Sequence, residues 1–168
     1  MRKLALALLF ASFGALSAQA NTIVLNINGF NCSTTQLAGV PEGLELQAWS
    51  WGTTTQMTGP NGGIVQPQKP TLSLVVANKQ TDKCSSALLG LNLKGTVNST
   101  VTITEYINTE GKLSPAMVVT LTSAMLAGYD ISGSVGSGNP AESLSFNFQK
   151  ICLQNNTNKT TACYSLGY

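Results

Sequence analysis

The sequence predicts a mainly β domain, an antiparallel β-barrel or sandwich with one flanking α-helix. Three observations predict it. Apolar and polar residues alternate with a period of two in several segments, breaks rich in glycine, proline and asparagine separate these segments, and only one stretch has clear helical spacing. The chain of 168 residues suits one domain with a single core, since domains typically hold ~100–200 residues. Only 10% of the residues are charged, which argues against charge-driven disorder.

The N-terminus has the three parts of a secretory signal peptide. Arg2 and Lys3 precede an apolar run over residues 4–16, and a small-residue motif, Ala-Gln-Ala, follows. We therefore expect residues 1–20 to be a cleaved leader and residues 21–168 to be one domain of an exported, periplasmic or secreted protein. The apolar run is shorter than the ~20 residues that a spanning helix needs, so no membrane span is predicted.

Charge and composition exclude several function classes. The chain has nine Lys and Arg and seven Asp and Glu, and this excess of positive charge disappears once Arg2 and Lys3 are removed with the leader. A neutral domain has no electrostatic attraction to nucleic acid. The chain contains no histidine, which excludes histidine-dependent triads and zinc sites built on imidazole.

The first two strands are predicted near the start of the domain. Residues 23–27 alternate between apolar and other side chains, and Gly29 ends this run. In residues 44–51 we expect Leu44, Leu46 and Ala48 to face one side and both tryptophans, Trp49 and Trp51, to face the other. Both faces of that strand should then contact protein.

A long connection follows from Thr53 to Pro70. It contains three glycines and three prolines and has no sustained period. In a compact domain so long a connection is functional or disordered, and both alternatives stay open here. Residues 71–76, rich in β-branched side chains, form the next predicted strand.

One helix is predicted over residues 82–94. Thr81 or Asp82 is its candidate N-cap, and Gly95 follows Lys94 as a stop signal. Four apolar residues recur at helical spacing and predict the face that packs against the barrel: Cys84, Ala87, Leu88 and Leu91.

The second half of the chain predicts more strands. Residues 100–107 and 144–148 alternate clearly. Between them, Ala116 to Leu126 fits a helix bounded by Ser114 and Gly128 or, by its β-branched content, a strand, and local signals leave both open. The glycine-rich residues 133–138 lack the Lys-Ser/Thr of a phosphate-binding loop and are interpreted as a turn.

All four cysteines lie outside the leader, and an exported chain meets an oxidising compartment, so two disulfides are predicted. Four cysteines allow three connectivities. A polar loop of ten residues separates Cys152 from Cys163 and is easily closed. We therefore favour Cys152–Cys163, which leaves Cys32–Cys84. Without a C-x-x-C pair, no metal site is predicted.

No catalytic or cofactor-binding residues are predicted. The domain has seven carboxylates without a paired motif: Glu42, Glu45, Asp82, Glu105, Glu110, Asp130 and Glu142. We interpret Asp82 as a helix cap and Glu142 as a solvated residue at a strand entry. Trp49 and Trp51 would stack on a sugar or peptide in a binding module, but packing in the core or against a subunit is favoured.

Four segments resemble the Hcp family, the haemolysin-coregulated proteins that form the inner tube of type VI secretion systems. These segments are residues 46–52 (Leu-Gln-Ala-Trp-Ser-Trp-Gly), Lys69-Pro70, residues 82–89 (Asp-Lys-Cys-Ser-Ser-Ala-Leu-Leu) and residues 142–151 (Glu-Ser-Leu-Ser-Phe-Asn-Phe-Gln-Lys-Ile). Their order and spacing agree with the family over nearly all of residues 22–152.

The resemblance implies a compact β-barrel with one helix, assembled as a hexameric ring with a wide lumen, and rings that stack into a tube. It implies a strand at Ala116 to Leu126 and an extended loop at Thr53 to Pro70 that reaches toward the next ring. The assembly interface candidates are Trp49, Trp51, Gly59, Pro60, Asn61, Gly62 and Gly63.

Two functions remain as hypotheses. The first is a structural, non-enzymatic ring or tube subunit linked to type VI secretion, whose lumen would shelter effector cargo. The second is an exported Hcp-like binding module that is not tied to a secretion machine. The leader and the cysteines favour the second hypothesis, whereas the extent of the resemblance favours the first.

Overall fold

The computed structural model describes residues 21–58, 66–67, 69–136 and 138–166. The predicted leader and the candidates Gly59 to Gly63 lie outside the described residues. Before the helix, the strands are β1 Thr22–Ile27, β2 Leu44–Leu46, β3 Ala48–Ser50, β4 Thr53–Thr54, β5 Met57–Thr58, β6 Gln66–Pro67, β7 Thr71–Leu72 and β8 Val75–Gln80. The helix α1 Ser85–Lys94 follows, and then β9 Val97–Thr109, β10 Lys112–Ser132, β11 Ala141–Asn147, β12 Lys150–Asn155 and β13 Thr160–Ser165. The predicted fold class, mainly antiparallel β with one helix, is confirmed.

The main sheet closes on itself through the chain between Leu44 and Ser50. The pairing order is β2-β1-β9-β10-β11-β8-β3, with every pair antiparallel. Only Gln47 separates β2 from β3, and its N–H donates to the Asn78 carbonyl at 2.8 Å. This segment therefore pairs with β1 through its first half and with β8 through its second half, which completes a barrel.

Strand β10 runs for 21 residues and joins three neighbours. One edge pairs with β9, whereas the other pairs first with β12, over Met117–Thr122, and then with β11, over Met125–Ser132. The chain bends between these partners, where Ser123 has φ of 50° and a register shift follows at Leu126/Gly128. The segment Ala116 to Leu126 is thus a strand, as the resemblance implies.

Two apolar clusters hold the barrel. The main cluster fills its interior with side chains from every barrel strand and from α1, among them Leu25, Ile103, Leu121, Phe146 and Leu88. The second cluster, Val24, Tyr106 and Leu113, is covered by Leu37 and Val40 of the chain between β1 and β2. Strand β1 is therefore buried on both faces, which explains its nearly continuous apolar sequence.

Helix α1 ends at its predicted stop signal but begins later than predicted, because its N-cap is Cys84 and not Thr81 or Asp82. Asp82 instead holds the turn that precedes the helix: the Cys84 N–H donates to Asp82 Oδ1 at 2.7 Å, and the Asp82 N–H donates to Ser85 Oγ at 2.8 Å. At the other end Gly95 has φ of 60°, a left-handed conformation that glycine adopts without steric cost. Leu88 is fully buried and anchors the helix in the main cluster.

The predicted strand 71–76 is interrupted. Strand β7 ends at Leu72 and β8 begins at Val75, and Ser73, which lies between them, contacts Gly52. Its hydroxyl group accepts the Gly52 N–H at 2.9 Å and lies 3.0 Å from the Gly52 carbonyl, which holds the base of the long connection. The pair β4 and β7 continues from there as a two-stranded stem.

Candidate assembly surface and buried charge network

The two tryptophans do not lie on the opposite face from Leu44 and Leu46, so that prediction was wrong. The chain bends at Gln47, the alternation changes phase, and Ala48 becomes exposed. Trp49 and Trp51 are partly buried and pack against the same main cluster as the two leucines. A strand that crosses from one partner to another changes its side-chain phase at the bend, which a strict period of two misses.

Each indole ring has a different polar environment. The Trp49 Nε1–H donates to Glu105 Oε1 at 2.7 Å, across the barrel from β3 to β9. The Trp51 Nε1 is buried and has no hydrogen-bond partner among the described residues. Both rings are partly buried, and their role in an assembly interface stays a prediction.

The long connection is described only at its base. The stems β4–β7 and β5–β6 are antiparallel pairs, and they lead toward the candidates Gly59, Pro60, Asn61, Gly62 and Gly63, which lie outside the described residues. The chain from Thr53 to Pro70 therefore begins and ends as a hairpin. Its contact with another ring stays a prediction.

Strand β13 is an open edge. Along the part of the chain that the structure describes, it pairs with β12 alone. The Leu166 N–H donates to the Gln149 carbonyl at 2.8 Å, which turns the even-numbered N–H groups toward β12. By alternation the N–H groups of Thr161, Cys163 and Ser165 face outward, and such a row is a template for pairing with another chain.

Both predicted cysteine pairs lie at disulfide distance. Cys32 and Cys84 have a Cα–Cα distance of 5.7 Å, and this bond joins the chain after β1 to the residue before α1. Cys152 and Cys163 are directly opposite each other in the β12–β13 hairpin, with a Cα–Cα distance of 4.0 Å. The C-terminal tail is thus a hairpin held on both sides of its turn.

A buried charge network, which was not predicted from the sequence, lies where β8, β11 and the start of α1 meet. The Lys79 side chain is 1% exposed, and its Nζ lies 2.6 Å from Glu142 Oε2 and 2.8 Å from Asp82 Oδ2. The Lys79 ammonium group also donates to the Gln80 carbonyl at 2.7 Å. The prediction that Glu142 is solvated was wrong, because its side chain is fully buried against this cation.

One signal in the sequence could have revealed this pair. Lys79 is in phase with Val75 and Ala77, the buried residues of β8, and Glu142 is in phase with the buried Leu144 of β11. A charged residue on the apolar face of each of two strands needs a partner of opposite charge, because a lone buried charge is costly. The sequence does not show, however, that β8 and β11 are neighbours.

Tyr129 completes the network. Its hydroxyl group donates to Glu142 Oε1 at 2.7 Å and lies 3.2 Å from the Ser85 carbonyl. Burial, together with the hydrogen bond and the charge of Glu142, raises the pKa of Tyr129 to about 12. The network therefore connects β8, β10 and β11 to the first turn of α1.

The described residues offer little for catalysis. No group of three His, Cys, Asp or Glu side chains among them could hold a metal ion. A cleft of about 660 Å³ lies between α1 and the turn after β1, and none of its lining residues is a carboxylate. None of the helices in the described part of the chain is long and apolar enough to cross a membrane.

The comparisons with known proteins identify one family. A family model described as "Type VI secretion system effector, Hcp" matches residues 24–154, from β1 to the end of β12. None of the curated proteins compared with the chain gives a significant match.

Solved structures agree with this match in fold. A structure described as a type six secretion system protein has a TM-score of 0.74 and 18% identity, with 88% of this chain and 96% of that chain covered. A crystal structure of an Hcp protein has a TM-score of 0.71 and 13% identity, with 88% and 99% covered. Hcp1 from Salmonella typhimurium has a TM-score of 0.69 and 17% identity, with 87% and 95% covered.

Proposed function

Since this chain belongs to the Hcp family of type VI secretion system effectors, we propose that it is a structural subunit that forms hexameric rings. The family consists of tube proteins and is not an enzyme family. The observation that carries the proposal is the family match over residues 24–154, which spans the whole barrel. In this proposal the rings stack into a tube, and effector cargo occupies the lumen.

The open edge of β13 supports a head-to-tail contact between ring neighbours. Its outward N–H groups, including that of Thr161, would pair with a different surface of the next subunit. A heterologous contact of this kind closes into a ring when its rotation divides a full turn. The connection from Thr53 to Pro70, which includes the candidates Gly59 to Gly63, would contact the next ring.

Location is the second part of the proposal. We place the protein outside the cytoplasm, exported by residues 1–20 and cleaved before Asn21. The two cysteine pairs at disulfide distance support this location, because such bonds persist in oxidising compartments. The same cysteine pairs favour the alternative function, an exported binding module that acts as a monomer without a secretion machine.

Molar mass in solution separates the two functions. The full chain is expressed in a bacterial host, recovered from the periplasm, and measured by light scattering across a wide concentration range. The ring proposal expects a hexamer of a chain that begins at Asn21. A single monomeric species at every concentration would eliminate the ring and leave the binding module.

Two variants locate the contacts. Thr161→Pro removes an outward N–H without removing a bond to β12, so we expect monomers that retain the native circular dichroism spectrum. Thr161→Ala is the matched control and keeps the ring. Deletion of residues 59–65 should leave single rings but abolish stacked tubes in electron micrographs, and tubes of unchanged length would contradict the role of the loop.

A further inference from the structure

The buried charge network places the Lys79 amine in direct contact with two carboxylates, those of Asp82 and Glu142. Lys79 Nζ lies 2.8 Å from Asp82 Oδ2 and 2.6 Å from Glu142 Oε2. The side chains of Lys79 and Glu142 are 1% and 0% exposed and that of Asp82 is 26% exposed, and both distances are direct contacts that leave no room for a water molecule between the groups. We propose that Lys79 and Asp82 condense to form an intramolecular amide bond between their side chains.

The atoms and protons of this step balance within the network. Glu142 Oε2 takes one proton from the Lys79 ammonium group, and a further proton is released as the new bond forms. The lone pair of Nζ then attacks Cγ of Asp82, a C–N bond forms, and the Cγ–Oδ2 bond breaks. Both protons leave with Oδ2 as water. An ammonium and a carboxylate thus become an amide and one water molecule, without an oxidant or another reactant.

The backbone at the start of α1 supports the attack on Asp82. The Cys84 N–H donates to Asp82 Oδ1 at 2.7 Å, and Cys84 is the N-cap, immediately before a helix of ten residues. Negative charge develops on this oxygen in the tetrahedral intermediate, and a fixed N–H at the positive end of a helix stabilises it. Asp82 Oδ1 therefore has the position of an oxyanion, and Oδ2, which faces Lys79, has that of the leaving group.

Glu142 is held in place for proton transfer. Tyr129 donates to Glu142 Oε1 at 2.7 Å, which leaves Oε2 directed at the amine. Groups fixed at this separation react with effective molarities on the order of 10⁵–10⁸ M. Condensation replaces the Lys79 ammonium group and the Asp82 carboxylate, which is 26% exposed, by a neutral amide, while the buried Glu142 carboxylate keeps the Tyr129 hydroxyl group as a donor at 2.7 Å.

The competing account is a permanent ion pair. Lys79 donates to three acceptors, Glu142, Asp82 and the Gln80 carbonyl, and these satisfy all of its hydrogens. The two accounts differ in mass and in the reactivity of one amine, because an amide has lost a water molecule and no longer has a primary amine.

The test uses the folded, oxidised wild-type protein. Its intact mass is measured, and the protein is then denatured, treated with formaldehyde and cyanoborohydride to methylate free lysines, digested and sequenced by tandem mass spectrometry. We expect the loss of one water, no fragment ions between Lys79 and Asp82, and no methylation of Lys79. A cyclic imide at Asp82 would also lose water, but it would leave Lys79 reactive and would overturn the proposal.

Variants assign the roles. Asp82→Ala and Glu142→Gln should each restore the full mass and the methylation of Lys79, whereas Asp130→Asn, a change at an exposed carboxylate, should retain the link. A linked fraction that grows while the folded protein is incubated also supports the proposal. Full mass together with a methylated Lys79 in wild-type protein of native circular dichroism overturns it, whatever the variants do.

Discussion

Removal of the Cys32–Cys84 disulfide should destabilise the domain more than removal of Cys152–Cys163. The first bond closes a loop with a sequence separation of 52 residues, and the second closes one of 11. In the chain-entropy model, the stabilisation is about 4 kcal/mol for the longer loop and about 3 kcal/mol for the shorter one. The difference arises because the longer loop restricts the unfolded chain more.

Burial acts in the same direction. Cys84 is fully buried within the main cluster, whereas Cys163 is exposed on β13. The change Cys84→Ala therefore also loses packing of the sulfur atom, and Cys163→Ala does not. We expect the two contributions to add, so the estimate from loop length is a lower limit for the difference between the two variants.

Urea denaturation measures the difference. The variant that combines Cys32→Ala with Cys84→Ala is compared with the variant that combines Cys152→Ala with Cys163→Ala, both against the oxidised parent. If the free energy of unfolding falls by about 2 kcal/mol per M urea, the urea concentration at the midpoint should be lower by about 2 M in the first variant and by about 1.5 M in the second. An equal or larger fall for the C-terminal pair, at unchanged slope, would refute the loop-length reasoning.

Three further predictions concern single residues. Glu142→Gln leaves the buried ammonium group of Lys79 without its full partner and should cost about 3–5 kcal/mol in the free energy of unfolding, measured by urea denaturation. The pKa of Tyr129 in the folded protein is raised to about 12, so the stability that the protonated hydroxyl group contributes is complete below pH 10 and is lost as the pH rises toward 12. In a plot of melting temperature against pH, Tyr129→Phe should therefore remove the fall between pH 10 and pH 12. Gly95→Ala should destabilise the domain by about 1 kcal/mol, because the φ of Gly95 is 60°. Gly90→Ala, in the middle of α1 with open space around it, should stabilise the domain by a similar amount. Melting temperatures that shift in the same direction in both variants would contradict this prediction.

The sequence predicted the fold class because most strands have only one buried face. Period-two alternation around Ile103 and Phe146 marks β9 and β11, and the flanking turn residues mark their ends. Gly95 marked the end of the helix because a left-handed C-cap is local chemistry, whereas the start was predicted too early, at Thr81 or Asp82 rather than at Cys84. The resemblance to the Hcp family supplied the strand at Ala116 to Leu126, which propensity alone did not decide.

The predictions that were wrong for the tryptophans and for Glu142 depend on contacts with distant parts of the chain. Trp49 and Trp51 turn inward because the strand changes partner from β1 to β8 at Gln47, and no residue near 47 marks that change. Glu142 is buried because Lys79 lies opposite it, 63 residues earlier. Pairing between strands, rather than local preference, decides both environments.

The pairing of β1 has a consequence for the order of folding. Its two neighbours are β2, about twenty residues away, and β9, whose partner for Thr22 is Tyr106. Contacts of such sequence separation form slowly, because the loop between them must be ordered before they contribute stability. A chain emerging from the ribosome or from a translocation channel cannot complete the sheet around β1 until Tyr106 has emerged. Strand β1 therefore has only β2 as a possible neighbour until β9 has been synthesised, and we expect the sheet around β1 to close late in folding.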